Sequence, residues 1–212
     1  MRIAVMRTAA FLLAVSVGVM ASLAHGADGY RLIPPQPTPN PSRIEVLEFF
    51  WYGCPYCNLL QPALRQWIER KPADVDIRRV PAVFRESWVP LARVFYTLES
   101  LGELDRLHYE VYRAQHVDGE NLNSTERTAD WAARHSIDRE AWLRSYNSPE
   151  VDQRVKQAAA ATRQYSIQGT PSLVVDGRYL TSTGMNASIG DVIRVLDELV
   201  QLAREQHPAG AR

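Results

Sequence analysis

Hydrophobic residues crowd the segment from Arg43 to Phe50, where Ile44, Val46, Leu47, Phe49 and Phe50 alternate only weakly with polar neighbours. That density predicts a strand covered on both faces and central to its sheet. The apolar spacing then lengthens. Leu59, Leu60, Leu64, Trp67 and Ile68 predict a helix from about Cys54 to Arg70 with these side chains inward, Pro55 in its first turn and Pro62 kinking it. Val75 to Val80 reads as a second strand, stopped by Pro81. Strand, helix and strand in this order imply a parallel pair with a right-handed crossover.

From about Ser87 to Tyr165 the helical period persists without a competing strand pattern. Leu91, Val94, Phe95 and Leu98 share one face, and Leu104, Leu107, Val111 and Tyr112 share another. Asn123-Ser124-Thr125-Glu126 and Ser148-Pro149-Glu150 carry helix-start chemistry. The block reads as a helical insertion, because strand character returns after Pro171. Ser172 to Val175, the turn pair Asp176-Gly177 and Arg178 to Thr181 predict a hairpin. Ser188 with Asp191 is a capping pair for a last helix lined by Ile189, Ile193, Leu196 and Val200, and the tail from Gln206 reads as frayed. At the other end, residues 28–42 hold Pro34, Pro35, Pro37, Pro39 and Pro41, which predicts an extended, ordered or semi-ordered lead-in.

The first residues change the setting. Arg2 and Arg7 precede an apolar stretch from Ala9 to Leu23 followed by small residues, the pattern of a secretory signal peptide with cleavage between Ala24 and Ala27. The stretch is shorter than the ~20 residues that a membrane helix needs. Export places the remaining chain, about 185 residues, where a disulfide persists. Charge is balanced, 24 basic against 24 acidic residues, and shows no basic stripe for nucleic acid and no lysine-rich amphipathic face for a membrane surface.

Against that background the chain's two cysteines stand as Cys54-Pro55-Tyr56-Cys57, between the first strand and its helix. The helix start stabilises a thiolate at Cys54, which makes it the nucleophile. Cys57 sits one turn further, near enough to close a short disulfide and expel what Cys54 has attacked. A structural staple closes a long loop, and this spacing closes almost none. Zinc wants more ligands than two sulfurs, and His108, His116 and His135 stand far along the sequence, so no metal is expected. A cysteine hydrolase would have no use for Cys57. Glu48 interrupts the apolar strand; it either exchanges a proton with Cys57 through water or lies at a sheet opening paired with a surface cation. Gly169-Thr170-Pro171 opens a strand where a proline can be cis. If Pro171 faces the cysteines, Thr170 offers its backbone to an extended client segment; taken alone the tripeptide is a turn.

Pro-Gln-Pro-Thr at residues 35–38, EVLEFFWYGCPYC, the helical block and GTPSLVVDGRY together resemble the DsbA-type thiol:disulfide oxidoreductases, over nearly all of the mature chain. The resemblance implies an α/β chain with a thioredoxin-like fold and an inserted all-helical domain. Its division is a signal peptide over 1–26, a thioredoxin-like domain over 27–86 and 166–212, and the helical insertion over 87–165. It further implies that Cys54 is the exposed nucleophile, Cys57 the buried partner, Glu48 the buried acid, and Pro171 a cis-proline preceded by Thr170. No cofactor is implied. The implied partners of this chain, itself a periplasmic monomer, are folding exported proteins with free cysteines and a membrane reoxidase of the DsbB type. Clients would be held by backbone pairing at Thr170 and Pro171 and by apolar surface including Trp51 and Tyr52. The same site would serve a periplasmic reductase or isomerase, and a non-enzymatic metal- or client-binding module could share the fold. The motif departs from the family at Tyr56, where histidine is usual; a tyrosine brings no positive charge to the thiolate, so the oxidant should be weaker.

Overall fold

The computed structural model describes residues 29–206; the signal-peptide reading of residues 1–26 lies outside them. β1 (Tyr30–Leu32), β2 (Ile44–Phe50), β3 (Val75–Pro81), β4 (Ser172–Val175) and β5 (Tyr179–Ser182) form one mixed sheet in the order β1-β5-β4-β2-β3. β2 is the strand that the hydrophobic run predicts, and all seven of its residues are buried. It pairs parallel with β3 and antiparallel with β4, so both its backbone edges are used. Pro81 ends β3 inside the strand and opposite Phe50, which an edge strand tolerates because a missing donor there breaks no inner ladder.

The alternation along β2 divides the core between two faces. Ile44 and Val46 pack with Leu60, Leu64 and Trp67 of α1 (Pro55–Arg70) and with Val195, Leu196 and Leu199 of α7 (Ile189–Gln206). Leu47 and Phe49 belong to the second cluster, with residues of α2 (Val89–Ser100), α3 (Leu104–His116), α4 (Thr125–Arg134), α5 (Arg139–Tyr146) and α6 (Pro149–Gln164), of which α3 also packs against α1. These five helices all fall between β3 and β4 in the chain, as the helical insertion predicts. The caps read from sequence are made: Ser124, Ser148 and Ser188 accept from the backbone N–H groups of Arg127, Val151 and Asp191. Asp176 and Gly177 both take positive φ, 51° and 65°, in a tight turn closed by the Arg178 N–H on the Val175 carbonyl, and because Val175 pairs with Tyr179 the strand resumes at Tyr179 and not at Arg178.

Two expectations are corrected and a third, the extended lead-in, is met with an added strand. Leu59 points outward, 59 % exposed, because the buried stripe of α1 centres on Cys57, Leu60, Gln61, Leu64 and Trp67, and Leu59 lies about 100° from Leu60 around the helix. The last helix buries Val192, Val195, Leu196, Leu199, Val200 and Ala203, while Ile189 and Ile193 are only half covered. The lead-in contains a strand: β1 pairs with β5, and the chain continues along the hairpin through Ile33 N–H to Arg178 O and Gln36 N–H to Gly177 O, both 2.9 Å.

Candidate redox site

β2 ends at Phe50, and the chain turns through Trp51, Tyr52 and Gly53 onto the start of α1. Cys54 is the N-cap residue, in extended conformation, and its N–H donates to the Trp51 carbonyl at 2.9 Å. Pro55 occupies the first helical turn, where no N–H is needed. The Thr170-Pro171 bond is cis, and the Thr170 carbonyl lies 3.2 Å from Cys54 Sγ, where it accepts from the protonated thiol. The structure therefore brings Cys54, Cys57, Glu48, Thr170 and Pro171 to one end of the sheet, across 116 residues of chain between the cysteine and the threonine.

The two sulfurs are electrostatically unlike. The Cys54 thiol is lowered to about 5, chiefly by a hydrogen bond from Cys57, with the Thr170 side chain and the backbone N–H groups of Cys57 and Tyr56 acting in the same sense against partial burial. Cys57 is fully buried and pushed well above the ordinary thiol value by burial first and by Cys54 next; the charge of Glu48 adds to the rise. Cys54 itself is 9 % exposed, so it is far less open than the exposed nucleophile of the resemblance. Tyr56, 61 % exposed, lines a groove of about 510 Å³ with Thr170, Pro171, Leu180, Met185 and Arg31.

Glu48 is both buried and paired with a cation. It is wholly buried on the α1 face of the sheet, yet its Oε2 takes the Arg79 Nε at 3.2 Å and its Oε1 takes the Gln61 Nε2 at 2.7 Å. Burial raises its carboxyl, and Arg79 and Gln61 oppose the rise. The cation was within reach of sequence reasoning, since aligning the starts of the parallel strands at Ile44 and Val75 sets Glu48 opposite Arg79. Gln61, a polar residue in a helix's buried stripe, carried no such signal.

Tyr52 is 1 % exposed and is not client surface. Its hydroxyl meets His108 Nδ1 at 2.8 Å and its carbonyl meets His116 Nε2 at 2.7 Å, so α3 grips the loop before Cys54 with two histidines distant in sequence. Burial, and then the charge of Arg79, hold His108 neutral. Trp51 stacks on Trp88 with ring centres 4.2 Å apart and planes within 5°, and its ring fills the space beside Gly53. Among the described residues no group of three or more His, Cys, Asp or Glu side chains is placed to hold a metal ion.

The sequence profile of the DSBA-like thioredoxin domain matches residues 79–189. The thiol:disulfide interchange protein DsbA of Burkholderia cepacia is 32 % identical, with 92 % of this chain and 96 % of that protein covered. The DsbA of Azotobacter vinelandii is 36 % identical over 79 % of this chain and 78 % of its own. The crystal structure of Pseudomonas aeruginosa DsbA superposes with a TM-score of 0.80 at 34 % identity, covering 87 % of this chain and 97 % of that one.

Proposed function

The chain belongs to the DsbA-like family of thiol:disulfide oxidoreductases, and from that premise we propose that it oxidises cysteine pairs of folding exported proteins in the periplasm, with the Cys54–Cys57 disulfide as the group transferred. A client thiolate attacks Cys54 Sγ; the Cys54–Cys57 bond breaks, and Cys57 leaves with the electron pair and takes a proton from Glu48. A second client thiolate then attacks the client sulfur of the mixed disulfide. The client disulfide forms and Cys54 departs as a thiolate. Two client thiols are oxidised, and the enzyme is left as thiolate and thiol.

The contrast between the sulfurs carries this reading. Cys54 is the better leaving group because its thiolate is stabilised, and Cys57 holds its proton because it is buried. Thr170 and Pro171 form the wall against which an extended client segment pairs, and Tyr56 lines the same groove. The oxidised state is restored by a membrane reoxidase of the DsbB type acting on a monomer, without a bound cofactor. Residues 27–86 and 166–212 constitute the thioredoxin-like domain, and 87–165 is an insertion that shares a core with it.

Incubation of the reduced variants Cys57→Ser and Cys54→Ser with an unfolded client that carries a disulfide tests the assignment, because a remaining Cys54 thiolate attacks that disulfide, one client sulfur leaves as a thiolate, and no second enzyme sulfur is present to resolve the product. Cys57→Ser should accumulate a mixed disulfide with the client and Cys54→Ser should form none; the reverse pattern would overturn it. Alkylation of whole cells separates direction, since an oxidase is found mostly as disulfide and a reductase mostly as dithiol.

A further inference from the structure

Gln61 is the most deeply placed polar side chain of α1 that the steps above leave unused. It is 3 % exposed; its Nε2 donates to Glu48 Oε1 at 2.7 Å and lies 3.4 Å from the Tyr112 hydroxyl. Its Oε1 is buried without a hydrogen-bond partner among the described residues, an arrangement that costs free energy unless another state uses the atom. On their outer side Gln61 and Tyr112 line a groove of about 500 Å³ between α1 and α3, bounded also by Asn58, Pro62, Tyr109 and Val117. Glu48 has no surface of its own. A proton that it takes from Cys57 must leave past a neighbour, and Arg79 on its other oxygen stays charged and cannot pass one on.

Resting on the role given to Glu48 above, we propose that Gln61 is the positioning residue that lets Glu48 change protonation state, and that the α1–α3 groove is the port through which its proton is exchanged with water. A carboxylate needs a donor and a carboxylic acid needs an acceptor; a primary amide supplies either by a half-turn of its last torsion. With Glu48 ionised, Nε2 faces it, as in the structure. With Glu48 protonated, Oε1 faces it and accepts, and the Tyr112 hydroxyl changes from acceptor to donor toward the same amide. The other groups about Glu48 do not compete. Arg79 on β3 is fixed in charge, Tyr52, Tyr109 and Tyr112 are kept protonated by burial, and His108 is kept neutral by it.

When the enzyme is reoxidised, the Cys57 S–H bond breaks and its proton passes to Glu48. The freed electron pair forms the bond to Cys54 Sγ, and the partner's sulfur leaves as a thiolate. Glu48 then returns the proton to water at the groove.

The test uses the full chain in the reduced state and a symmetrical aromatic disulfide whose thiolate is coloured. The first equivalent of colour reports attack by Cys54, and the second reports attack by Cys57 on the mixed disulfide. Both are followed by stopped flow across pH. Gln61→Met should slow the second release about tenfold at pH 7 and move its midpoint to higher pH, because the Glu48 anion loses its donor, while the first release is unchanged. Tyr112→Phe should act in the same direction. A second release within twofold of the wild type, with the same midpoint, would overturn the proposal. Should Gln61→Met fail to fold, Gln61→Glu, of equal size, should raise the midpoint by about one unit because two carboxyl groups share a proton; an unmoved midpoint is equally fatal. Glu48→Gln separates the two readings: if it slows the second release and Gln61→Met does not, only the role of Gln61 falls, and if neither does, the role of Glu48 falls with it.

Discussion

At the scale of single residues, Cys54 governs the behaviour. Its thiol is lowered to about 5 from an ordinary value of 9.0, so it stabilises the folded, reduced protein above the unfolded value, and that contribution is lost as pH falls through about 5. The oxidised protein has no such group. Thermal unfolding of both forms should therefore show the reduced form's advantage shrinking between pH 9 and pH 5; a difference independent of pH would contradict the assignment. Tyr56 adds a second expectation. It is exposed beside the sulfur and carries no charge, so Tyr56→His should lower the Cys54 thiol further and move the reduction potential to less negative values, and an unchanged or more negative potential would speak against it. Glu48 gives a third. Arg79→Met leaves a buried carboxylate unpaired and should cost about 3–5 kcal/mol in urea unfolding at neutral pH, most of it recovered when Glu48→Gln is added.

At the scale of elements, the sheet and the helices were largely legible because their hydrophobic periods are clean. The strand at 44–50, the Asp176-Gly177 hairpin and the serine caps each follow from local chemistry that the structure reproduces. β1 was hidden because three residues between Gly29 and a proline-rich run carry no periodic signal; their strand partner, β5, lies far along the sequence at Tyr179 to Thr181. Leu59 was misplaced because adjacent leucines cannot both face one core, and only the packing of α1 decides between them. The grip of α3 on Tyr52 through His108 and His116 is likewise a product of tertiary placement. The hairpin turn offers a direct check. Gly177 has φ of 65°, and a Cβ there would fall inside van der Waals contact of the Gln36 carbonyl, so Gly177→Ala should lower stability by about 2 kcal/mol or more, read from its urea midpoint.

At the scale of the molecule, the helical insertion and the sheet share one apolar core, since Leu47, Phe49, Phe50 and Val174 belong to the same cluster as Leu91, Phe95, Trp131 and Trp142. Unfolding followed by tryptophan fluorescence and by helical circular dichroism should therefore give coincident single transitions. The shared core also explains why the site is built where it is. β2 delivers Glu48 and the cysteine loop, the insertion closes over the loop, and the return of the chain at Thr170 and Pro171 sets the Thr170 carbonyl beside Cys54. The central claim, that this arrangement makes the Cys54–Cys57 pair an oxidant, is tested most directly by equilibrating the protein with glutathione buffers and trapping Cys54. A stabilised Cys54 thiolate predicts a potential less negative than about −200 mV, with the disulfide reduced even in weakly reducing mixtures; a value more negative than that would contradict the account.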